Sequence, residues 1–245
     1  MRWAIDLIIL AVLILCVWNG YKKGLIMGIG GLACIVVSLY GACLLSGTFS
    51  YEVVSAVRPF AGGYIDRVIS NDVSQEMGFV YSDGTLPEER YSINDIVEQD
   101  NEAAREFATT TFRCMGIYET AAEQMGEESL AYSAENKVTL KEAVVEVCCS
   151  RLVYVAGVIL CFFIILILLV FIGNIPNLSF RLPNLEEVDE IGGAAIGLVR
   201  GVLFCMLIAW ALKFLGILIG PDSLGDSLLG RLFVKIGLIT RFIGI

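Results

Sequence analysis

The sequence predicts an all-α membrane protein: a bundle of four transmembrane helices with an acidic, mostly helical insert between spans 2 and 3 and an interfacial C-terminal helix. Two observations predict this class. Of the 245 residues, 57% are hydrophobic and only 18% are charged, whereas soluble domains are about 45–50% apolar and about 25% charged. The mean hydropathy is +0.76, and long uncharged runs flank one acidic stretch. Because lipid offers the backbone no hydrogen-bond partners, such runs cross a membrane as helices.

Two pairs of apolar runs predict two transmembrane hairpins. Residues 1–46 hold the first pair, joined by a short turn that contains Lys22 and Lys23. Residues 148–220 hold the second pair, whose first run is the longest stretch without a charge. The four predicted spans are residues 3–18, 24–46, 152–175 and 191–219.

Residues 47–147 form the predicted extramembrane insert, which carries 19 acidic and 7 basic residues. Its net charge is therefore −12, while the remaining chain sums to +3. Apolar residues recur in it at helical spacing, which predicts amphipathic helices, one of them extending from about Ser92 through Ala122. Thr139 and Glu142 have the spacing of a capping box, so we expect the third span to begin near Thr139 as a water-exposed helix that continues unbroken into the membrane.

The tail, residues 221–245, is apolar but interrupted by glycines and by basic residues every few positions. This pattern favours an interfacial or re-entrant helix over a fifth span.

The composition excludes several classes of function. The chain has no His, which removes His-activated nucleophiles and His-ligated metals. A net charge of −9 argues against nucleic acid as a partner. Five of the eight cysteines fall in apolar runs; Cys114, Cys148 and Cys149 lie in polar sequence, where free thiols are expected and a disulfide from Cys114 to Cys148 or Cys149 is the alternative. No G-x-S-x-G occurs, so we expect no enzyme, no metal and no cofactor.

Two glycine ladders stand at the entries to spans two and four. The first is Gly20-x3-Gly24-x3-Gly28, and the second is Gly193-x3-Gly197 followed by Gly201. Glycines four apart share one helix face and permit close approach of another helix. Generic small-residue packing is the alternative for either ladder alone.

Two ionisable residues lie at apparent membrane depth, Asp6 and Arg200, and Asp189 stands at the entry to span four. Asp189 and Arg200 are three helical turns apart and so project from one face. Because a buried cation is costly in lipid, we expect Arg200 to meet a partner or water. One interpretation pairs these charges inside the bundle; the other lets Arg200 snorkel to the interface and leaves Asp6 in the headgroups.

At these positions the chain resembles the colicin V production (CvpA-like) family of integral membrane proteins. Glu190 departs from the pattern, since the family often has a basic residue there, and Gly28 stands where many relatives carry an acid. The acidic insert is longer than in compact members. The residues that carry the resemblance, and that we take as candidates for a functional or structural role, are Asp6, Lys23, Gly24, Asp189, Gly193, Gly197, Arg200 and Gly201, with Ser227-Leu228-Leu229 of the tail.

The resemblance implies a non-enzymatic protein of the bacterial cytoplasmic (inner) membrane, an accessory or assembly factor in bacteriocin production or export or in envelope tolerance. In some bacteria a similar four-span unit anchors an extracytoplasmic serine protease, and no catalytic residues carry over. The expected partners are the lipid bilayer and either a second copy of the chain or another envelope protein. The alternative, drawn from the charges, is an oligomeric channel or small-solute transporter with Arg200 in an aqueous path.

The orientation follows from the basic residues and the number of spans. Lys22 and Lys23 crowd the first turn, which favours a cytoplasmic location for it. An even number of spans then places both termini and residues 47–147 on the extracytoplasmic side, and family members with a protease after span four place it there too.

Overall fold

The computed structural model describes residues 2–77, 101–174, 186–214 and 227–236, and throughout them the regular elements are helices. The predicted all-α class is therefore confirmed. Helix α1 is followed by a π-helical turn, Ile69–Val73. The helices are α1 (Arg2–Val68), α2 (Ser74–Glu76), α3 (Asn101–Cys114), α4 (Glu119–Asn136), α5 (Leu140–Asn174), α6 (Glu186–Phe214) and α7 (Leu228–Ile236).

Three of the described helices contain segments long and apolar enough to cross a membrane, which makes this a multi-pass membrane protein. The segments are Ile5–Ser50 of α1, Leu140–Ile172 of α5 and Val188–Phe214 of α6. Both predicted spans of the first hairpin fall in α1, which is non-helical at Gly24. A straight helix as long as Ile5–Ser50 would measure about 69 Å at about 1.5 Å per residue, more than twice the thickness of a hydrocarbon core. The non-helical backbone at Gly24 therefore determines whether this segment is one straight helix or two shorter ones.

The described residues group into two compact units. The apolar unit comprises those within Met1–Phe49, Tyr154–Leu212 and Ser223–Ile245. The polar unit comprises those within Ser50–Val153 and Lys213–Asp222. Both boundaries of the main polar segment fall inside helices, close to the predicted limits of the insert, residues 47–147.

Helices α3 and α4 pack through large and small apolar side chains in the polar unit, where Phe107, Phe112 and Met125 are buried. The single helix predicted through Ala122 is wrong, because α3 ends at Cys114. Gly116 has φ 88°; its N–H donates to the Arg113 carbonyl (2.8 Å), and the next N–H donates to the Phe112 carbonyl (3.1 Å). This is a Schellman termination, in which glycine supplies the left-handed conformation.

The capping box predicted at Thr139 is confirmed. The Thr139 N–H donates to Glu142 Oε2 (3.2 Å) and the Glu142 N–H donates to Thr139 Oγ1 (3.3 Å). Helix α5 follows at once and runs without interruption from Leu140 to Asn174. The exposure of its first turns to water stays a prediction.

Candidate functional site

The two glycine ladders face each other in the apolar unit, one on α1 and the other on α6. A Cβ added at Gly20 would lie 2.8 Å from the Gly197 Cα, and one added at Gly193 would lie 2.8 Å from the Gly24 carbonyl carbon. Cβ atoms do not approach backbone this closely, so any side chain at these positions would force the helices apart. The two backbones are in direct contact, which is the geometry that small residues permit in membrane helices.

The outer members of the ladders are less tightly packed. A Cβ at Gly201 would lie 3.1 Å from the Cys16 Cβ, and one at Gly28 would lie 3.2 Å from Ile196 Cγ2. These contacts involve side chains that could shift slightly. The tight part of the seam is therefore the set Gly20, Gly24, Gly193 and Gly197.

The chain direction of α1 reverses relative to α6 at Gly24. Before Gly24, Cys16 lies opposite Gly201, and Gly20 lies opposite Gly193 and Gly197, so this part of α1 runs antiparallel to α6. After Gly24, Leu25 contacts Gly192, Gly28 contacts Ile196 and Gly31 contacts Arg200, so this part of α1 runs parallel to α6. Gly24 has φ 78° and ψ 175°, a conformation that L side chains rarely adopt. One glycine therefore turns the helix back on itself.

Asp189 binds the backbone that this reversal exposes. Its Oδ1 accepts the Leu25 N–H (2.8 Å), and its side chain is buried, 6% exposed. A Cβ at Gly24 would lie 2.8 Å from the Asp189 Cγ, so the bare glycine also makes room for the carboxylate. A break leaves the first N–H groups of the following helix without partners, and an acceptor with negative charge satisfies one of them. Asp189 is thus the N-terminal cap of the second half of α1.

Asp6 does the same for α7. Its Oδ1 accepts the Ser227 hydroxyl (2.7 Å) and the Leu229 N–H (3.0 Å). The Ser227 oxygen in turn accepts the Gly230 N–H (2.9 Å), and Ser227 is 1% exposed. The first turn of α7 is therefore capped by a serine and by a carboxylate from the other end of the chain. This contact brings Asp6 together with the Ser-Leu-Leu of the tail.

Among the described residues, the Asp6 and Asp189 carboxylates accept hydrogen bonds from backbone N–H groups and a hydroxyl. The pairing of charges inside the bundle and the headgroup position of Asp6 stay predictions. The spacing of Asp189 and Arg200 places both on one side of α6, but Asp189 meets Leu25, whereas Arg200 meets Gly31.

Arg200 lies against the second half of α1. A Cβ at Gly31 would lie 2.8 Å from its Nη1, and its guanidinium carbon lies 5.9 Å from the centre of the Phe204 ring. Its side chain is partly exposed. In the part of the chain that the structure describes, no hydrogen bond or ion pair reaches this guanidinium.

Lys23 and its neighbours lie at the exposed turn before Gly24. The Lys23 side chain is exposed, and Lys22 Nζ lies 5.1 Å from the centre of the Trp18 ring. The Tyr21 hydroxyl donates to Glu190 Oε2 (2.6 Å). Glu190, which departs from the family pattern, thus pairs with a phenol beside the basic turn.

The structure also buries Lys213, a residue that the sequence analysis did not single out. Its side chain is 7% exposed, less than that of Arg200. Its Nζ lies 5.8 Å from the centre of the Phe214 ring, and its carbonyl accepts the Tyr118 N–H (3.2 Å). The position of Lys213 in the last turn of α6 gave no signal of this burial.

All eight cysteines are free, so the expectation of free thiols is confirmed. Cys114 donates to Glu76 Oε2 (3.2 Å); burial and this carboxylate raise the pKa of its thiol to about 12, which leaves it a poor nucleophile. No group of three or more His, Cys, Asp or Glu side chains suitable for a metal occurs among the residues that the structure describes.

Comparison with known proteins agrees with the resemblance. The family model described as colicin V production protein matches residues 119–237, a region that holds α4, α5, α6 and α7 and therefore one ladder, Asp189, Arg200 and Ser227. No curated protein and no solved structure matches the chain significantly.

Proposed function

Because the chain is a membrane protein of the colicin V production family through residues 119–237, we propose that it is an accessory or assembly factor of the bacterial cytoplasmic membrane without chemistry of its own. It serves bacteriocin production or export, or envelope tolerance. The apolar unit anchors it, and the acidic polar unit meets an envelope partner.

The observation that carries this proposal is the use of the carboxylates in the apolar unit. Asp6 and Asp189 resemble candidates for proton transfer or ion binding, yet both accept hydrogen bonds from backbone N–H groups at helix starts. A carboxylate so engaged stabilises a helix terminus through hydrogen bonding and the helix dipole. Together with the glycine seam, the caps support a role in holding helices together.

The proposal includes four membrane crossings. The reversal at Gly24 divides Ile5–Ser50 into two segments of about 30 and about 39 Å, each long enough for one hydrocarbon core. With α5 and α6, the crossings number four, so both termini and residues 47–147 lie on one side. The exposed Lys22 and Lys23 at the turn favour the cytoplasm for that turn, which puts the polar unit outside.

Cysteine labelling tests this orientation. Glu135 has an exposed side chain in the polar unit, so Glu135→Cys is introduced into a chain whose native cysteines are replaced by alanine. An impermeant maleimide should label it in intact spheroplasts, whereas Lys23→Cys in the same background should react only after lysis. The opposite pattern would reverse the orientation, and labelling of both from outside would remove the four-crossing arrangement.

A deletion strain of the native host tests the function. The wild-type gene should restore bacteriocin export or survival in bile salts, and the cysteine-free chain should restore it equally, because the free thiols carry no chemistry. Gly193→Ala, which opens the glycine seam, should not restore it. Failure of the cysteine-free chain at a normal membrane level would contradict a non-enzymatic role, and full rescue by Gly193→Ala would separate the seam from function.

Arg200 favours a second candidate, the oligomeric channel or small-solute transporter. A packing role would leave its guanidinium bonded, whereas the side chain is partly exposed and, among the described residues, meets only the Phe204 ring and the bare backbone at Gly31. An unbonded cation at membrane depth is typical of water-lined paths. Flux of small ions through liposomes that contain the purified chain tests this candidate.

A further inference from the structure

Arg200 stands deep in its span. The segment Val188–Phe214 has Arg200 close to its middle, about 18 Å from Val188 along the helix axis at about 1.5 Å per residue. With a hydrocarbon core of about 30 Å centred on the span, the nearer headgroups are about 13 Å away along the axis, and an arginine side chain reaches about 7 Å. Snorkelling along α6 therefore does not bring this guanidinium to lipid phosphate.

The surroundings of the guanidinium hold it in place without satisfying it. The bare backbone at Gly31 leaves room for Nη1, because a Cβ there would lie 2.8 Å from it. The Phe204 ring flanks the guanidinium carbon at 5.9 Å. The Arg200 guanidinium has five N–H donors, and no side chain or carbonyl that the structure describes accepts a hydrogen bond from them. A desolvated cation without acceptors is strongly unfavourable, so an acceptor must come from elsewhere.

The nearby carboxylates that the structure describes do not supply that acceptor. Asp189 is bound to Leu25 and Asp6 to Ser227 and Leu229, while Glu190 accepts from Tyr21. An anion from solution would supply it, and such an anion needs water to reach Arg200.

We propose that Arg200 is the binding residue for a small planar oxyanion of the carboxylate class, which enters the apolar unit through water. The guanidinium fork matches the two oxygens of a carboxylate, and the ring and the glycine backbone hold the fork open toward the ligand. This site names the ligand class of the second candidate function and rests on its aqueous path. The proposed assembly role does not depend on it.

The native thiol of Cys16 reports on this site, because Cys16 lies against Gly201, the residue after Arg200, and its side chain is partly exposed. In a chain that retains only Cys16, the rates of modification by anionic sulfonatoethyl methanethiosulfonate and by its cationic trimethylammonioethyl analogue are measured in liposomes. The anionic-to-cationic rate ratio should fall by about tenfold in Arg200→Gln, as expected for loss of one nearby charge. A chain that retains only Cys161 is the control, and its ratio should not change.

Competition tests the ligand class. Acetate should slow anionic modification of Cys16 in the wild type and not in Arg200→Gln, and chloride at the same ionic strength should slow it less. Gly31→Val should abolish protection by displacing the guanidinium, whereas Gly30→Val, where no atom lies within 4 Å of an added Cβ, should keep it.

Three results would overturn the site: no modification of Cys16 by either reagent, a rate ratio unaffected by Arg200→Gln, or equal competition by chloride and acetate. Acetate flux in the same liposomes is recorded separately. Protection without flux keeps the site and removes the channel, so failure of the second candidate function is distinguishable from failure of the inference.

Discussion

The apolar and polar units hold their helices together in different ways. In the apolar unit, α1 and α6 meet backbone to backbone at Gly20 and Gly197, where a single added methyl group would have no space. In the polar unit, α3 and α4 meet mainly through side chains, with Phe112 and Met125 fully buried, and one glycine of α4, Gly126, lies close to the backbone of α3. The first interface depends on the absence of side chains, and the second depends mainly on side-chain volume.

This difference follows from the solvent that each unit is suited to. Lipid tails are as apolar as leucine, so burial of large side chains gives membrane helices little advantage, and close backbone approach with satisfied polar groups takes its place. In water the transfer of aromatic and aliphatic surface supplies the stabilisation. Hydrogen-bonding groups differ in the same way: the caps of the apolar unit are buried at Asp189 and Ser227, whereas the capping box of the polar unit, at Thr139, is exposed.

The largest expected effect is from Phe112→Ala in the polar unit. Removal of a fully buried ring leaves a cavity and should lower the free energy of unfolding of this unit by about 4 kcal/mol. Hydrogen exchange at the amides of α4, measured on the full chain in detergent, reports the loss. Phe60→Ala makes the same truncation at a side chain that is 81% exposed and should leave exchange nearly unchanged. Equal effects of the two would mean that α3 and α4 do not depend on side-chain volume.

The reverse substitution should break the apolar unit. Gly193→Ala adds one methyl group 2.8 Å from the Gly24 carbonyl carbon, and the backbone shift needed should cost about 3 kcal/mol. Gly30→Ala adds the same group where no atom lies within 4 Å, and it should be neutral or slightly stabilising. The fraction of folded protein against denaturing detergent measures both. If Gly193→Ala were as stable as Gly30→Ala, backbone contact would not hold this unit.

Local patterns could be predicted from the sequence, and long-range partners could not. The capping box at Thr139, the unbroken helix after it and the glycine spacing are all encoded within a few residues. The partners of Asp6 and Asp189 lie 221 and 164 residues away in the chain, and helical spacing carries no information about such pairs. Each of these two aspartates lies near the end of a span, and this sequence position is equally consistent with a place among the lipid headgroups. Their capping role could therefore be identified only from the three-dimensional structure.

One failure was avoidable and another was not. Gly116 gave a signal for the end of α3, since glycine just after a helical run is typical of a Schellman termination. Because helical periodicity continues on both sides of Gly116, the pattern predicted one helix through this position. The burial of Lys213 had no such signal, because a lysine in the last turn of a helix is ordinarily exposed and interacts with the C-terminal carbonyls.

The caps of the two units should differ in strength. Asp189→Ala leaves the Leu25 N–H without its acceptor in a buried place and should destabilise the apolar unit by about 2 kcal/mol. Thr139→Ala removes an exposed cap, whose N–H groups water can satisfy, and should cost about 1 kcal/mol. Asp189→Asn retains an acceptor oxygen, so its loss of stability should lie between the losses caused by Asp189→Ala and Thr139→Ala. Hydrogen exchange at Leu25 and at Glu142 measures each cap directly. A larger loss at Glu142 than at Leu25 would contradict the dependence on burial.

The smallest effects are expected at the ion pairs of the polar unit, where exposure decides the order. Arg105 and Glu127 are 2.6 Å apart with 52% and 59% of their side chains exposed, so screening by water should reduce their coupling free energy to about 0.3 kcal/mol. Arg151 is only 19% exposed and binds Glu128 through both Nε and Nη2, a two-point geometry that should give about 1 kcal/mol. Double-mutant cycles with alanine at each pair, followed by exchange at α4 amides, measure both coupling energies. Raising the salt concentration should weaken the Arg105 pair more than the Arg151 pair. A larger coupling free energy for the exposed Arg105 pair than for the Arg151 pair would contradict the dependence on exposure. Ion pairs would then contribute more to the position of α4 than its buried side chains do, and the polar unit would no longer be the one held by side-chain volume.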